Sequence, residues 1–260
     1  MRARPLASRV VEAEILDALS PDDPHAVRSR RDLVRLNRLM LHAGTMTASI
    51  RSVAGGAAPR SVLEIGCGDG TFMLRVARNL ARSWPGVRLV LLDRQGIVTP
   101  ETVAAIEALG WRAEPAVADV LDYLDQDREP FDVVSANLFL HHFDQGQLEI
   151  LLGLVAARSR GFAACEPRRA ALALAASRLV GLIGCNEVTR HDALASVRAG
   201  FAGMELSGSW PKRAGWTLRE WRSGPFSHSF SARKIAFSAK KVAFTARKVA
   251  FTVGKIGDGL

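Results

Sequence analysis

Hydrophobic positions along this chain follow two rhythms. Over residues 6–19 and 26–42 they recur at helical spacing: Leu33, Leu36, Met40 and Leu41 interleave with Arg28, Arg31, Arg35 and Arg38, which predicts two helices. Pro21-Asp-Asp-Pro24 interrupts the pattern between them, and Gly55-Gly-Ala-Ala-Pro59 predicts a linker after them. From residue 60 onward short apolar runs alternate with amphipathic stretches. Ser61 to Ile65, Val87 to Leu92, Ala113 to Ala118, Phe131 to Ala136 and Gly161 to Cys165 predict five strands. Helices are predicted between them over Thr71 to Ser83, Thr99 to Leu109 and Gln145 to Ser159. Such alternation predicts an α/β protein with a parallel sheet covered on both faces. A long Ala/Leu-rich helix over Arg168 to Leu182 follows. Trp216 to Trp221 and Phe226 to Ala232, joined by Arg222-Ser-Gly-Pro225, then predict a closing hairpin. Arg190 to Arg198 shows no clear pattern.

Composition narrows the class. With 48% hydrophobic and 23% charged residues the chain can bury a real core. It contains no run of about 18 uncharged apolar residues, so no membrane-spanning helix is expected. Met1-Arg-Ala-Arg-Pro5 lacks a secretory signal's apolar stretch. Cys67, Cys165 and Cys185 are odd in number and lack metal-ligand spacing, so a reduced, cytoplasmic protein without disulfides or a metal is expected. The net charge of +9 is unevenly placed: residues 230–260 hold seven Lys or Arg against one Asp. The charge therefore describes a tail more than a substrate. That tail repeats every seven residues, from Phe230-Ser-Ala-Arg-Lys-Ile-Ala through Phe237 and Phe244 to a degenerate copy at Phe251. On a helix its Ile/Val and Ala positions share a face, which suits peripheral contact with an anionic membrane; a low-complexity extension fits equally. Three parts are expected: a helical cap over 1–55, a core over 56–233 and the basic tail over 234–260.

The chemistry concentrates where strands end. Gly66, Gly68 and Gly70 follow a strand and open a helix, so backbone can lie bare against a ligand. A dinucleotide-binding turn would need its third glycine at position 71, which is Thr71. Asp93 ends the second strand, where a carboxylate can accept both hydroxyls of a ribose. That supports a nucleoside without selecting between a nicotinamide dinucleotide and S-adenosylmethionine (SAM). Asn137 leaves the fourth strand and is followed by His141 and His142, either of which can remove a proton from an acceptor or simply cap the next helix. His191, Asp192, Arg198 and His228 form a second polar group, read as a substrate contact or a salt-bridged loop.

Glu64-x-Gly66-x-Gly68-x-Gly70, with Cys67 inside the turn, resembles the first motif of class I SAM-dependent methyltransferases. Together with Asp93, Asp119 and Phe131 to Phe143, the chain is closest in style to small-molecule enzymes of bacterial quinone and polyketide pathways. The resemblance spans roughly residues 25–233 and does not include the repeat tail. It implies a Rossmann-like seven-stranded, mostly parallel sheet with an antiparallel last strand and an N-terminal helical cap. It implies SAM held by Glu64, Gly66, Cys67, Gly68, Gly70, Asp93, Arg94 and Asn137, with Asp119 and the Val120 amide near adenine. The expected reaction is methyl transfer to oxygen or carbon of a small hydrophobic acceptor, a phenol, quinol or polyketide-like molecule, with His142 or His141 as base. Two other readings stay open. One is a nucleic-acid methyltransferase tethered by the tail, which the absence of an Asn-Pro-Pro-Tyr type motif after the fourth strand disfavours; the other is a non-catalytic SAM- or nucleotide-binding module.

Overall fold

The computed structural model describes residues 6–126, 129–211 and 214–235. A seven-stranded sheet runs through it in the order β3-β2-β1-β4-β5-β7-β6. Its parallel strands are β1 (Ser61–Ile65), β2 (Arg88–Asp93), β3 (Arg112–Val117), β4 (Val133–Asn137) and β5 (Gly161–Pro167). The hairpin of β6 (Trp216–Arg222) and β7 (Ser227–Lys234) closes one edge, with β7 antiparallel to both its neighbours. Arg233 consequently lies opposite Gly161, at the start of β5. The expected reversed last strand is therefore present, and no described helix is long and apolar enough to cross a membrane.

The sheet's apolar residues point alternately to two layers. Leu63, Ile65, Val90 and Leu92 pack with α6 (Val120–Asp125), α7 (Gln145–Arg158) and α10 (Glu205–Ser209). Val62, Leu89, Leu91 and Val133 face α4 (Thr71–Leu80), α5 (Pro100–Glu107) and α3 (His42–Val53). Because β1, β4 and β5 are covered on both sides, apolar or small residues fill most of their positions, with Glu64, Ser135, Asn137 and Glu166 as buried polar exceptions.

The helical segment before β1 differs from expectation. The first predicted helix shrinks to α1 (Ile15–Ala18), and α2 (Pro24–Leu39) stops short of residue 42. Leu41 adopts a left-handed backbone (φ 57°), and α3 begins at once in the stretch before the glycines. That helix was hidden because its buried stripe of Met46, Ile50 and Val53 is thin, and small polar residues fill the rest. Gly55 and Gly56, at φ 71° and 86°, terminate it as glycines do just past a helix end. A β-carbon on Gly161 would sit 2.9 Å from Val53 Cβ, so glycine there lets α3 press onto β5. The long helix expected over 168–182 is α8 (Ala171–Ser177) followed by a 3-10 turn, Val180–Ile183, and residues 190–198 lie in α9 (Glu187–Ala199). The described residues end at Ile235, inside the first copy of the repeat, and the rest of the tail lies outside them.

Strand order puts the chain reversal between β1 and β4: the chain winds outward from β1 to β3, then returns to β4 on the other side. Ligands in open α/β sheets bind in the crevice beyond the carboxyl ends at such a point. Here α1, α2 and α8–α9 cover that crevice and enclose a cavity of about 1000 Å³.

Candidate active site

The glycine turn forms one wall. Gly66, Gly68 and Gly70 all have positive φ (68°, 55° and 73°). They differ in surroundings. A β-carbon on Gly66 would lie 2.1 Å from Phe139 Cδ2, whereas one on Gly68 would meet nothing within 4 Å. Gly66 thus seats an aromatic ring, and Gly68 leaves open space toward the cavity it lines. Asp93 holds the turn in place: Oδ2 accepts the Gly68 N–H at 2.8 Å and Oδ1 accepts that of Gln95 at 2.9 Å. Each oxygen keeps lone-pair capacity for a ligand. The Cys67 N–H donates to the Leu92 carbonyl, and burial, reinforced by Asp93 and Glu64, raises its thiol far above the ordinary range. Glu64 is buried beneath the turn and accepts a hydrogen bond from Ser135; burial raises its carboxyl to about 8.

Other predicted residues divide between cavity and scaffold. Asp119 and Val120 line the cavity, and Asp119 also caps α6 by accepting the Leu121 N–H at 2.8 Å. Arg94 lines it too, with its guanidinium 3.9 Å from Asp17 on α1. Asn137 is buried; its Nδ2 donates to Asn37 Oδ1 at 3.2 Å, while its own Oδ1 has no partner. His42, from the start of α3, completes this group: Nδ1 lies 2.8 Å from Asn37 Oδ1 and Nε2 2.7 Å from Ser227 Oγ. Burial lowers His42 to about 4, so it is neutral.

The two histidines occupy different settings. His141 is enclosed, with Nδ1 2.8 Å from Glu166 Oε2 and Nε2 3.3 Å from Glu14 Oε1. Burial alone would lower it, but the hydrogen bonds it donates to Glu14 and Glu166, and their charges, raise it to about 9. Glu14 responds in kind: burial would raise it, yet His141, His142 and Ser196 bring it to about 2. His141 is therefore an imidazolium fixed between two carboxylates. Glu14, His141 and His142 bring ligand atoms within 4.8 Å of one another, the one such grouping found among the described residues, but the proton on His141 already balances its charge. His142 has 24% of its side chain exposed, lines the cavity, and lies 3.4 Å from Asp17. Burial and the neighbouring His141 charge lower its pKa, leaving it neutral and able to accept a proton.

Glu166, Glu14, His42 and Asn37 escaped the reading of the sequence. Glu166 is the next-to-last residue of β5, and a signal existed: it is an acid near the carboxyl end of a central strand in Cys165-Glu-Pro-Arg-Arg169. Besides His141, it accepts the backbone N–H groups of Phe139 and Leu140 at 3.0 and 2.9 Å, shaping the turn after β4. The second polar group is held by partners within the protein: His191 lies 3.0 Å from Asp192, which also lines the cavity. Asp192 accepts the Ile15 and Leu16 N–H groups, Arg198 reaches Glu12 at 3.8 Å, and His228 pairs with buried Glu220 at 2.7 Å. The segment before α1 is pinned by Arg9, which donates to the Ala199 and Phe143 carbonyls and stacks over Phe201 at 4.3 Å.

The open space at Gly68, the spare acceptors of Asp93 and the orphaned Asn137 Oδ1 fit a ligand with ribose hydroxyls and a cationic, hydrogen-bond-donating end. They do not form a phosphate cradle. Comparison with known proteins agrees. Residues 62–160 match a family model described as a methyltransferase domain. No curated protein sequence matches the chain. Among solved structures, the plantazolicin methyltransferase BpumL in complex with SAH is similar at TM-score 0.60 and 12% identity, covering 82% of this chain and 91% of that one. The plantazolicin methyltransferase BamL, in complex with a triazolic desmethylPZN analogue and SAH, reaches 0.57 at 13% identity over 84% and 92%. An O-methyltransferase family protein from Burkholderia thailandensis reaches 0.61 at 20% identity, covering 89% of this chain and 67% of that one. Identities this low show the shared fold. Residues 62–160 are thus a methyltransferase domain, carried on a fold shared with methyltransferases whose structures hold SAH.

Proposed function

We propose that this enzyme transfers the methyl group of SAM to an oxygen or carbon of a small hydrophobic acceptor of phenol, quinol or polyketide type. One observation carries the reading: the turn held by Asp93 and the neutral imidazole of His142 line the same largely apolar cavity. Asp93, with Arg94 beside it, serves the ribose, Asp119 and the Val120 amide serve the adenine, and Gly66 and Gly68 present backbone to the methionine part. Asn137 supplies an acceptor there, while Glu64 and Cys67 hold the turn's shape from below. SAM brings an already activated methyl group on a positive sulfur, so positioning and exclusion of water supply much of the acceleration.

His142 then accepts the proton that the acceptor's hydroxyl or enol releases. His141 acts through it, as a fixed cation that keeps its neighbour neutral. Leu33, Leu36, Leu138, Phe139, Phe143 and Phe226 make the acceptor end apolar. The plantazolicin enzymes, whose structures hold desmethylPZN analogues, are in keeping with a small natural-product acceptor. We read residues 1–55 as the cap over this chamber, 56–233 as the methyltransferase core, and 234–260 as an appendage outside it. Incubation with methyl-labelled SAM and either a phenol and quinol panel or nucleic acid tests the assignment. Label in the phenol or quinol is expected; transfer to nucleic acid alone would reverse it.

A further inference from the structure

Among the described residues, exposed large hydrophobics such as Val117, Ile150 and Met204 stand alone. Two turns differ. The corner between α2 and α3 presents Leu39 and Leu41 at 68% and 74% exposure. The 3-10 turn after α8 presents Leu179, Leu182 and Ile183, with Leu182 at 83%. Leu39, Leu179 and Ile183 also line the cavity, so the two turns flank one opening. They are adjacent in space: Arg35, one turn before Leu39, reaches to 3.5 Å from the Gly184 carbonyl. Leu41 projects from a left-handed backbone, a conformation residues with a β-carbon seldom adopt and one that concentrates at functional sites.

The charge around these turns has one sign. Arg28, Arg31, Arg35 and Arg38 recur at helical spacing along the exposed side of α2, and exposed Arg178 adjoins Leu179. The acid within α2, Asp32, is buried and bound to Arg35 and the Asn186 N–H. The acids nearby, exposed Asp22 and Glu187 and half-buried Asp23, gather at the other end of the helix, where Glu187 faces His25 at 3.5 Å. Two leucine-tipped turns inside an arginine collar combine apolar insertion with attraction to anionic headgroups.

We propose that this face docks on an anionic lipid bilayer, with Leu41 and Leu182 entering the headgroup boundary and Arg28, Arg31 and Arg38 of α2 lying on lipid phosphates. The cavity then opens onto the membrane, and an apolar acceptor passes from lipid toward His142 without crossing water. That last step rests on the methyl-transfer reading; the docking does not, and binding measured without turnover keeps the two apart.

The test is flotation of the full chain with phosphatidylcholine vesicles containing about one-third phosphatidylglycerol, against phosphatidylcholine alone. The double variant Leu41→Gln/Leu182→Gln is compared, neither residue lining the cavity, with far-UV melting to confirm that it folds. Binding is expected only with the anionic lipid, to fall about tenfold in the double variant, and to weaken with salt. An environment-sensitive fluorophore on Leu182→Cys is expected to shift to the blue on vesicle addition. Equal binding by parent and double variant with an unmoved fluorophore would place the contact in the basic tail and overturn the proposal. A blue shift that follows protein concentration without lipid, with dimer on gel filtration, would mark the face as a self-association surface and overturn it as well.

Discussion

His142 and His141 are adjacent, yet their surroundings give them opposite protonation states. His142 titrates below its ordinary value of 6.5, so the rising limb of kcat/KM is expected on the acid side of pH 6.5. Replacing His142 with Gln should remove that limb and cut turnover by about a hundredfold, the usual scale of a lost general base, with SAM affinity little changed. An equal fall in stability and activity would assign His142 a structural role. His141→Gln removes the repelling charge and should move the limb toward higher pH. Asp93 makes two backbone hydrogen bonds as a carboxylate, so Asp93→Ala should weaken SAM binding by about 1.5–3 kcal/mol in calorimetry. Unaltered affinity would remove it from the site.

At the scale of the element, the turn between β1 and α4 separates two kinds of glycine. Gly66→Ala drives a methyl group into the Phe139 ring while keeping φ at 68°, so both strain and displacement follow. Thermal melting should show a loss above the roughly 1–2 kcal/mol of a left-handed alanine alone. Gly68→Ala meets no neighbour and should cost about that backbone penalty only, its larger effect appearing as lost cofactor affinity. Melts and binding isotherms of the two variants check the contrast. This turn was fully legible in the sequence, because three glycines between a strand and a helix mean the same thing locally and globally. The strands were legible for a related reason: burial on both faces fills most of their positions with apolar residues. α3 was not, since its helix depends on contact with β5 and its own residues are small and polar. Glu14 and His42 were equally hidden, as their partners lie 127 and 185 positions away in the chain.

For the molecule as a whole, the N-terminal strap is the part whose attachment depends on pH. His141 in the fold titrates near 9, above its ordinary 6.5, so its contribution is complete below pH 6.5 and is lost as pH rises through 9. Glu14 titrates near 2, below its ordinary 4.5, so its share is complete above pH 4.5 and is lost as pH falls toward 2. The strap should therefore be held most firmly between about pH 4.5 and 6.5. Limited proteolysis within residues 9–18 across that range measures this, and His141→Gln should flatten the alkaline limb. A strap equally protected at pH 6 and pH 9.5 would contradict the buried ion pair.

The reversed course of β7 carries a consequence for handling and for biology alike. Arg233 sits beside the first residue of β5, so the chain continues past Ile235 from the pole of the sheet remote from the glycine turn and the cavity mouth. Whatever grips the chain at Ile235 itself holds the enzyme by its base, with its entrance pointing away. A bead, a surface or a cellular scaffold attached there would leave the traffic of small molecules unobstructed.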